Sequence, residues 1–314
     1  MFEMNHPKRL AGSAAQLFFL VLILSVSGAC RNDTVSKKAE TSPVTELTWE
    51  YPSSPFGPTV VAVAVPKSAS STNRMPVLIA LHGQGEARKM PAAGARGWFD
   101  DYSMLRAFSR LMAPPLNRDD FGGMVDDVRL DILNGSLKKK PYRGVIVVCP
   151  YLPDKFRSKH LYEDSKKYSD FLIRTVLPRV YKETAALGTV ASTGIDGVSL
   201  GGRASVIVGL THPETFGAVG GTQAAFRDDQ VEETAALVST ARKKNPKLAF
   251  RLISSDGDRF KGVTLTLSAA LKLRNEAHQV DIVKGDHSYE FNRGPGGLEM
   301  LLYYDSVLRG EPFL

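Results

Sequence analysis

The chain has 314 residues, 43% of them hydrophobic and 23% charged, with 40 basic and 33 acidic side chains and a formal charge of +7. That composition excludes an intrinsically disordered chain and leaves room for one large domain or two modest ones. The basic excess falls in scattered clusters such as "LKKKPYR" and "ARKKNPK". Without aromatic interleaving or a recognisable module these read as solvated loop and helix ends, so no nucleic-acid partner is expected.

Residues 1–29 have the layout of a secretory signal peptide, with Lys8 and Arg9 followed by the apolar run "LFFLVLILSVSGAC". Cys30 directly follows Ser27, Gly28 and Ala29. The stretch resembles a bacterial lipoprotein signal, although Ser27 stands where leucine is commonest. The resemblance implies that Cys30 is acylated and that a lipid anchor holds the chain at the cell envelope, on the periplasmic face or the outer membrane. Small residues before the cut also suit ordinary signal peptidase and a secreted product. Leu10 to Ala29 is also long enough for an uncleaved membrane anchor. Residues 30–46 are polar and read as a tether. With Cys30 lipidated, Cys149 has no partner within the chain and reads as a buried, inert thiol.

From Leu47 onward β-rich runs alternate with helical patterns, which predicts one α/β domain over 47–314 with a largely parallel sheet covered by helices on both faces. "TVVAVAVP" is an early strand, and "PVLIALHG" and "GVIVVCP" are the nearly continuous apolar runs of doubly covered strands. Between them, 86–143 is too long for a simple connection. "WFDDYSMLRAFSRLM" and "DDFGGMVDDVRLDIL" predict at least two helices there. This insertion could serve equally as an outer layer or as a wall of a pocket. "LYEDSKKYSDFLIRTVLPRVYKE" is a helix that tolerates Pro178, followed by strand "TGIDGVS" and a helix opening at Gly201. "FGAVGGT", "KLAFRLISS" and "QVDIVKG" are strands, separated by helices over Asp228–Lys244 and "VTLTLSAALKLRN" and closed by helix "GLEMLLYYDSVLR".

"GVSLGG" places Ser199 after a strand and before a helix, between Gly197 and Gly201, where the backbone can turn sharply and helix N–H groups face an anion. A nucleophilic serine needs a base, an acid behind the base and oxyanion donors. In an open parallel sheet these converge at carboxyl ends of strands. Of six histidines, His287 alone follows a late strand at that end. His6 is in the signal, His82 precedes the serine, His160 and His212 lack a preceding strand, and His278 precedes one. For the acid, "DGDRF" offers Asp258, further along the loop, ahead of Asp256, which is better placed to stabilise the turn.

With "LHGQG", "GVSLGG", "SSDGDRF" and "GDHSYEFNRG" in this order, the sequence from about Thr59 onward resembles the α/β-hydrolase superfamily, above all its esterase-D-like and feruloyl-esterase-like branch. The long insertion after "LHGQG" departs from the commoner arrangement, in which a cap follows a later strand. The resemblance implies a serine hydrolase of small-molecule carboxylic esters that uses Ser199, Asp258 and His287. It also implies an oxyanion hole from the N–H groups of Leu200 and Gln84. His82, Tyr289 and Asn292 are candidate pocket residues, with Arg293 beside them; His82 is expected to shape the "HGQG" turn rather than act as a base, and a structural role is the equal alternative for the other three. The same triad also serves peptidases and acyltransferases, and a catalytically silent envelope binding protein is the alternative from another class. No cofactor and no metal is expected. The adjacent aspartates Asp100–Asp101, Asp119–Asp120 and Asp126–Asp127 splay apart on a helix and read as capping or solvated groups.

Overall fold

The structure is a computed structural model that describes residues 42–154 and 161–314. The expected signal, the lipidation site Cys30 and most of the tether lie outside the described residues. Among the described residues no helix is long and apolar enough to cross a membrane.

Eight strands form one sheet: β1 (Val44–Tyr51), β2 (Thr59–Pro66), β3 (Val77–Leu81), β4 (Ile146–Pro150), β5 (Thr193–Gly197), β6 (Ala218–Thr222), β7 (Ala249–Gly257) and β8 (Gln279–Asp286). Their spatial order is β1-β2-β4-β3-β5-β6-β7-β8, with the first two pairings antiparallel and all others parallel. The fold is the α/β-hydrolase fold. β1 begins at Val44, three residues inside the stretch expected to be tether. Its alternating "VTELTWEY" pairs with β2 from Val44↔Pro66 to Tyr51↔Thr59, so an edge partner orders residues whose composition alone reads as linker.

The central strands are buried on both faces, and their side chains divide by the two-residue period. Val77, Ile79 and Leu81 point with Ile146, Val148 and Ile195 into one core, and Leu78 and Ala80 point with Val147 and Cys149 into the other. The short helices α1 (Gln84–Ala87) and α2 (Pro91–Ala95) follow β3, and then come α3 (Met104–Met112) and α4 (Asp127–Lys139). After β4 the chain forms α5 (Leu161–Phe171) and α6 (Leu177–Glu183), and after β5 it forms α7 (Leu200–Thr211). The remaining helices are α8 (Val231–Lys244), α9 (Lys261–Leu273), α10 (Tyr289–Phe291) and α11 (Gly297–Val307). Apolar residues of α5 to α9 cover the first face, and those of α3, α4 and α11 cover the second.

The 86–143 insertion is thus chiefly a layer: Trp98, Phe99, Met104, Phe108 and Leu111 belong to the second core. "WFDDYSMLRAFSRLM" is not one helix. A π-helical turn at Gly97–Asp101 gives way to α3 at Ser103, whose φ of 53° breaks the run and turns Tyr102 inward. Pro178 is accommodated because it opens α6 just after a π-helical turn at Leu172–Val176. The paired aspartates do separate jobs. Asp126 caps α4 by accepting from the Arg129 N–H at 2.7 Å, and buried Asp120 pairs with Arg110 at 2.7 Å. Cys149 is buried, and burial pushes its thiol well above the usual value.

Candidate active site

Connections from β3 and β5 leave in opposite directions, so the sheet has its topological switch point between these neighbours. That is where an open α/β sheet forms a crevice. The "HGQG" turn leaves β3 there and Ser199 leaves β5. Ser199 adopts φ 56°, ψ −114°, a conformation costly for a side chain with a Cβ. Backbone bonds over-determine it: Ser199 N–H donates to Thr222 O at 3.0 Å, while its carbonyl accepts from Arg203 N–H at 3.1 Å and Ala225 N–H at 2.9 Å. The flanking glycines are required by close approach. A Cβ at Gly197 would lie 2.6 Å from the Gly201 backbone, and one at Gly201 would strike the Leu81 and His82 carbonyls.

The structure brings the three residues expected at strand ends into one line. His287 Nε2 lies 3.1 Å from Ser199 Oγ, and His287 Nδ1 lies 2.9 Å from Asp258 Oδ1. Asp258 also accepts from Phe260 N–H at 3.0 Å and from the Ser254 hydroxyl at 2.6 Å. Burial acts to raise the Asp258 carboxyl, but these hydrogen bonds, led by that of His287, outweigh it and hold the group below the usual carboxylate value. Asp256 is exposed and accepts from Gly285 N–H at 2.9 Å, tying the end of β7 to β8. Leu200 and Gln84 are the first residues of α7 and α1. N–H groups at that position have no acceptor within their own helix.

Ser199 and His287 open onto a cleft of about 190 Å³ lined by Gln84, Glu86, Tyr102, Arg259, Tyr289 and Asn292, among others. A larger groove of about 690 Å³ lies elsewhere, between Thr45, Pro66 and Lys182, and contains none of Ser199, Asp258 and His287.

His82 shapes the turn as expected, but its place among the pocket residues requires a correction: it is fully buried and does not line the cleft. Its Nδ1 pairs with Gly83 O at 3.0 Å and its Nε2 accepts from Leu152 N–H at 2.9 Å. Burial lowers its pKa, so the neutral ring holds the turn after β3 against the chain after β4. Tyr289 and Asn292 do line the cleft, while Arg293 is held at its edge by the Asp101 carbonyl at 2.8 Å.

Two features escape the sequence reading. Glu86 is fully buried and accepts hydrogen bonds from Tyr102 and, at 2.6 Å, from Tyr289. Tyr102 in turn accepts from Gly83 N–H at 3.2 Å. Burial and the Glu86 carboxylate push both phenols up, so they remain protonated donors. Gln223, at φ 45°, donates to Ser255 Oγ at 2.7 Å and to Asp286 O at 2.9 Å, bracing the loop that carries His287. Glu86 follows the "HGQG" turn directly, but nothing local marks it for burial. Gln223 offered only its place after β6.

A family model described as "Putative esterase" matches residues 145–291, from β4 through α10, a range that includes Ser199, Asp258 and His287. Among solved structures, a ferulic acid esterase superposes at TM-score 0.60 and 18% identity, over 83% of this chain and 97% of its own. S-formylglutathione hydrolase (FrmB) from Staphylococcus aureus does so at 0.59 and 14%, over 84% and 99%. A ferulic acid esterase from the anaerobic fungus Anaeromyces mucronatus gives 0.54 and 16%, over 89% and 95%. No curated protein sequence matches the chain. The neighbours share the α/β-hydrolase fold. The match over 145–291 makes that stretch of the chain similar to the "Putative esterase" family, and the solved structures share its fold.

Proposed function

We propose that the protein is a serine esterase that cleaves small carboxylic esters through an acyl-enzyme on Ser199. The observation that carries this reading is the unbroken hydrogen-bonded line from Ser199 through His287 to Asp258 at the mouth of the cleft. Ser199 Oγ attacks the acyl carbon as His287 Nε2 takes its proton, while Asp258 keeps Nδ1 protonated and the ring oriented. The carbonyl oxygen gathers charge beside the N–H groups of Leu200 and Gln84, a stabilisation worth about 3 kcal/mol per donor. His287 then protonates the leaving alcohol, and a water activated by the same ring releases the acid. A stopped-flow assay with 4-nitrophenyl acetate and the matching 4-nitroanilide tests the reading. A burst followed by steady turnover of the ester, with the anilide untouched, is expected. A folded protein that cleaves no ester in a broad panel is instead a silent binding protein, and preferred anilide cleavage makes it a peptidase. Turnover that rises with an added alcohol, through transfer to it, marks an acyltransferase.

The proposal extends to location. The layout of residues 1–30 supports a lipid anchor at Cys30 on a bacterial envelope. Cys30→Ser then releases the protein from membranes, whereas unchanged retention favours an uncleaved anchor over Leu10–Ala29.

A further inference from the structure

Apart from His287, two charged side chain types line the cleft, Glu86 and Arg259. They differ in how far their charge is already used. Glu86 is fully buried, and its two carboxylate oxygens are taken by the phenols of Tyr102 and Tyr289. Arg259 is exposed at the cleft, and among the described residues no carboxylate lies within ion-pairing distance of its guanidinium. The other basic groups around the rim are engaged. Lys89 pairs with Asp101 at 2.6 Å, Arg293 is held by the Asp101 carbonyl and by Glu290 at 3.7 Å, and Lys261 donates to Asp256 O at 2.7 Å.

Arg259 is also held in place. It follows the triad acid directly, and its guanidinium lies 4.9 Å from the centroid of the Phe260 ring. That ring in turn packs edge-on against the His287 imidazole, at 5.3 Å and 71°. The cation therefore stands one aromatic ring away from the catalytic base, at low entropic cost for a long side chain stacked on a ring. The direction follows from the chemistry. His287 must hand its proton to the leaving oxygen, so the alcohol half of the ester lies against the imidazole, while the carbonyl oxygen faces Leu200 and Gln84.

We propose that Arg259 is a specificity determinant that binds an anionic group, a carboxylate or a phosphate, on the alcohol half of the ester. The inference rests on the esterase reading and adds the substrate class to it. A guanidinium fork matches either anion through two parallel hydrogen bonds.

The test uses the full chain and four esters: 4-acetoxybenzoate and its neutral methyl ester, then mono-4-nitrophenyl succinate and 4-nitrophenyl butyrate. The first pair differs in charge on the alcohol half, the second on the acyl half. For each ester, kcat/KM of the wild type is divided by that of Arg259→Met, which cancels intrinsic reactivity. The expected ratio for 4-acetoxybenzoate exceeds that for its methyl ester by about tenfold, carried by KM. Arg259→Lys restores part of it, and ~0.5 M salt shrinks it. Equal ratios within the first pair, or an excess confined to the succinate ester, overturn the inference and leave the esterase reading standing. No turnover of any of the four by wild type overturns both.

Discussion

Tyr102→Phe isolates what the buried Glu86 clamp does. The phenol donates to Glu86 and accepts from Gly83 N–H at 3.2 Å. Its loss leaves a fully buried carboxylate with one donor and strands a backbone N–H. A hydrogen bond to a charged group contributes about 1.5–3 kcal/mol, and an orphaned buried donor costs about 1 kcal/mol more, giving a total of about 3 kcal/mol. In a fold of this size that lowers Tm by about 6–10 °C. Gly83 directly precedes Gln84, so the turn that presents the proposed oxyanion donor loosens as well. A partial loss of that donor lowers kcat by about tenfold or more with KM little changed. Tyr289→Phe removes the other donor to Glu86, but Tyr289 is 38% exposed and water can replace it, so about 1 kcal/mol is expected. Calorimetry and steady-state ester kinetics on both variants decide the matter. A Tyr289→Phe effect equal to that of Tyr102→Phe, or a Tyr102→Phe loss of stability with kcat intact, refutes the reasoning.

Asp258→Asn keeps the shape of the triad acid but removes the charge that fixes the His287 tautomer, so kcat falls by about 10³-fold or more while thermal unfolding changes little. Asp196, buried beneath the nucleophile turn, has its pKa pushed up to about 6 by burial, against the pull of Arg251 and the Gly197 N–H. An acid whose pKa is higher when folded than when unfolded stabilises the fold below the unfolded value and loses that contribution as pH rises through the folded one. Urea unfolding of the wild type is therefore expected to show stability from this group falling by about 3 kcal/mol between pH 4 and 7. Asp196→Asn flattens that slope, and an unchanged slope rules out Asp196 as its source.

Much of the fold was legible because its signals are local. Strands such as "PVLIALHG" announce themselves by continuous apolar runs, and Ser199, Asp258 and His287 each follow a stretch that reads as a strand, so strand-end chemistry could select them. The less legible parts depend on tertiary partners. The first three residues of β1 look like linker until β2 pairs with them, and the break at Ser103 that turns Tyr102 inward has no glycine or proline to mark it. Glu86 carries no sign in the sequence that it will be buried, because its two phenols arrive from 16 and 203 residues away. His82 ends a strand beside the site, as a pocket residue does, yet both ring nitrogens are committed to backbone. Position at a strand end thus brings a residue to the crevice, and only packing decides whether it faces substrate.

The central claim is that Ser199 is a nucleophile activated by His287. Incubating the folded protein with a fluorophosphonate probe and mapping the adduct by mass spectrometry tests it most directly. The account predicts one phosphonyl group, on Ser199, that is absent in Ser199→Ala and greatly slowed in His287→Ala. A folded wild-type protein that stays unlabelled, or one labelled at another residue, contradicts it.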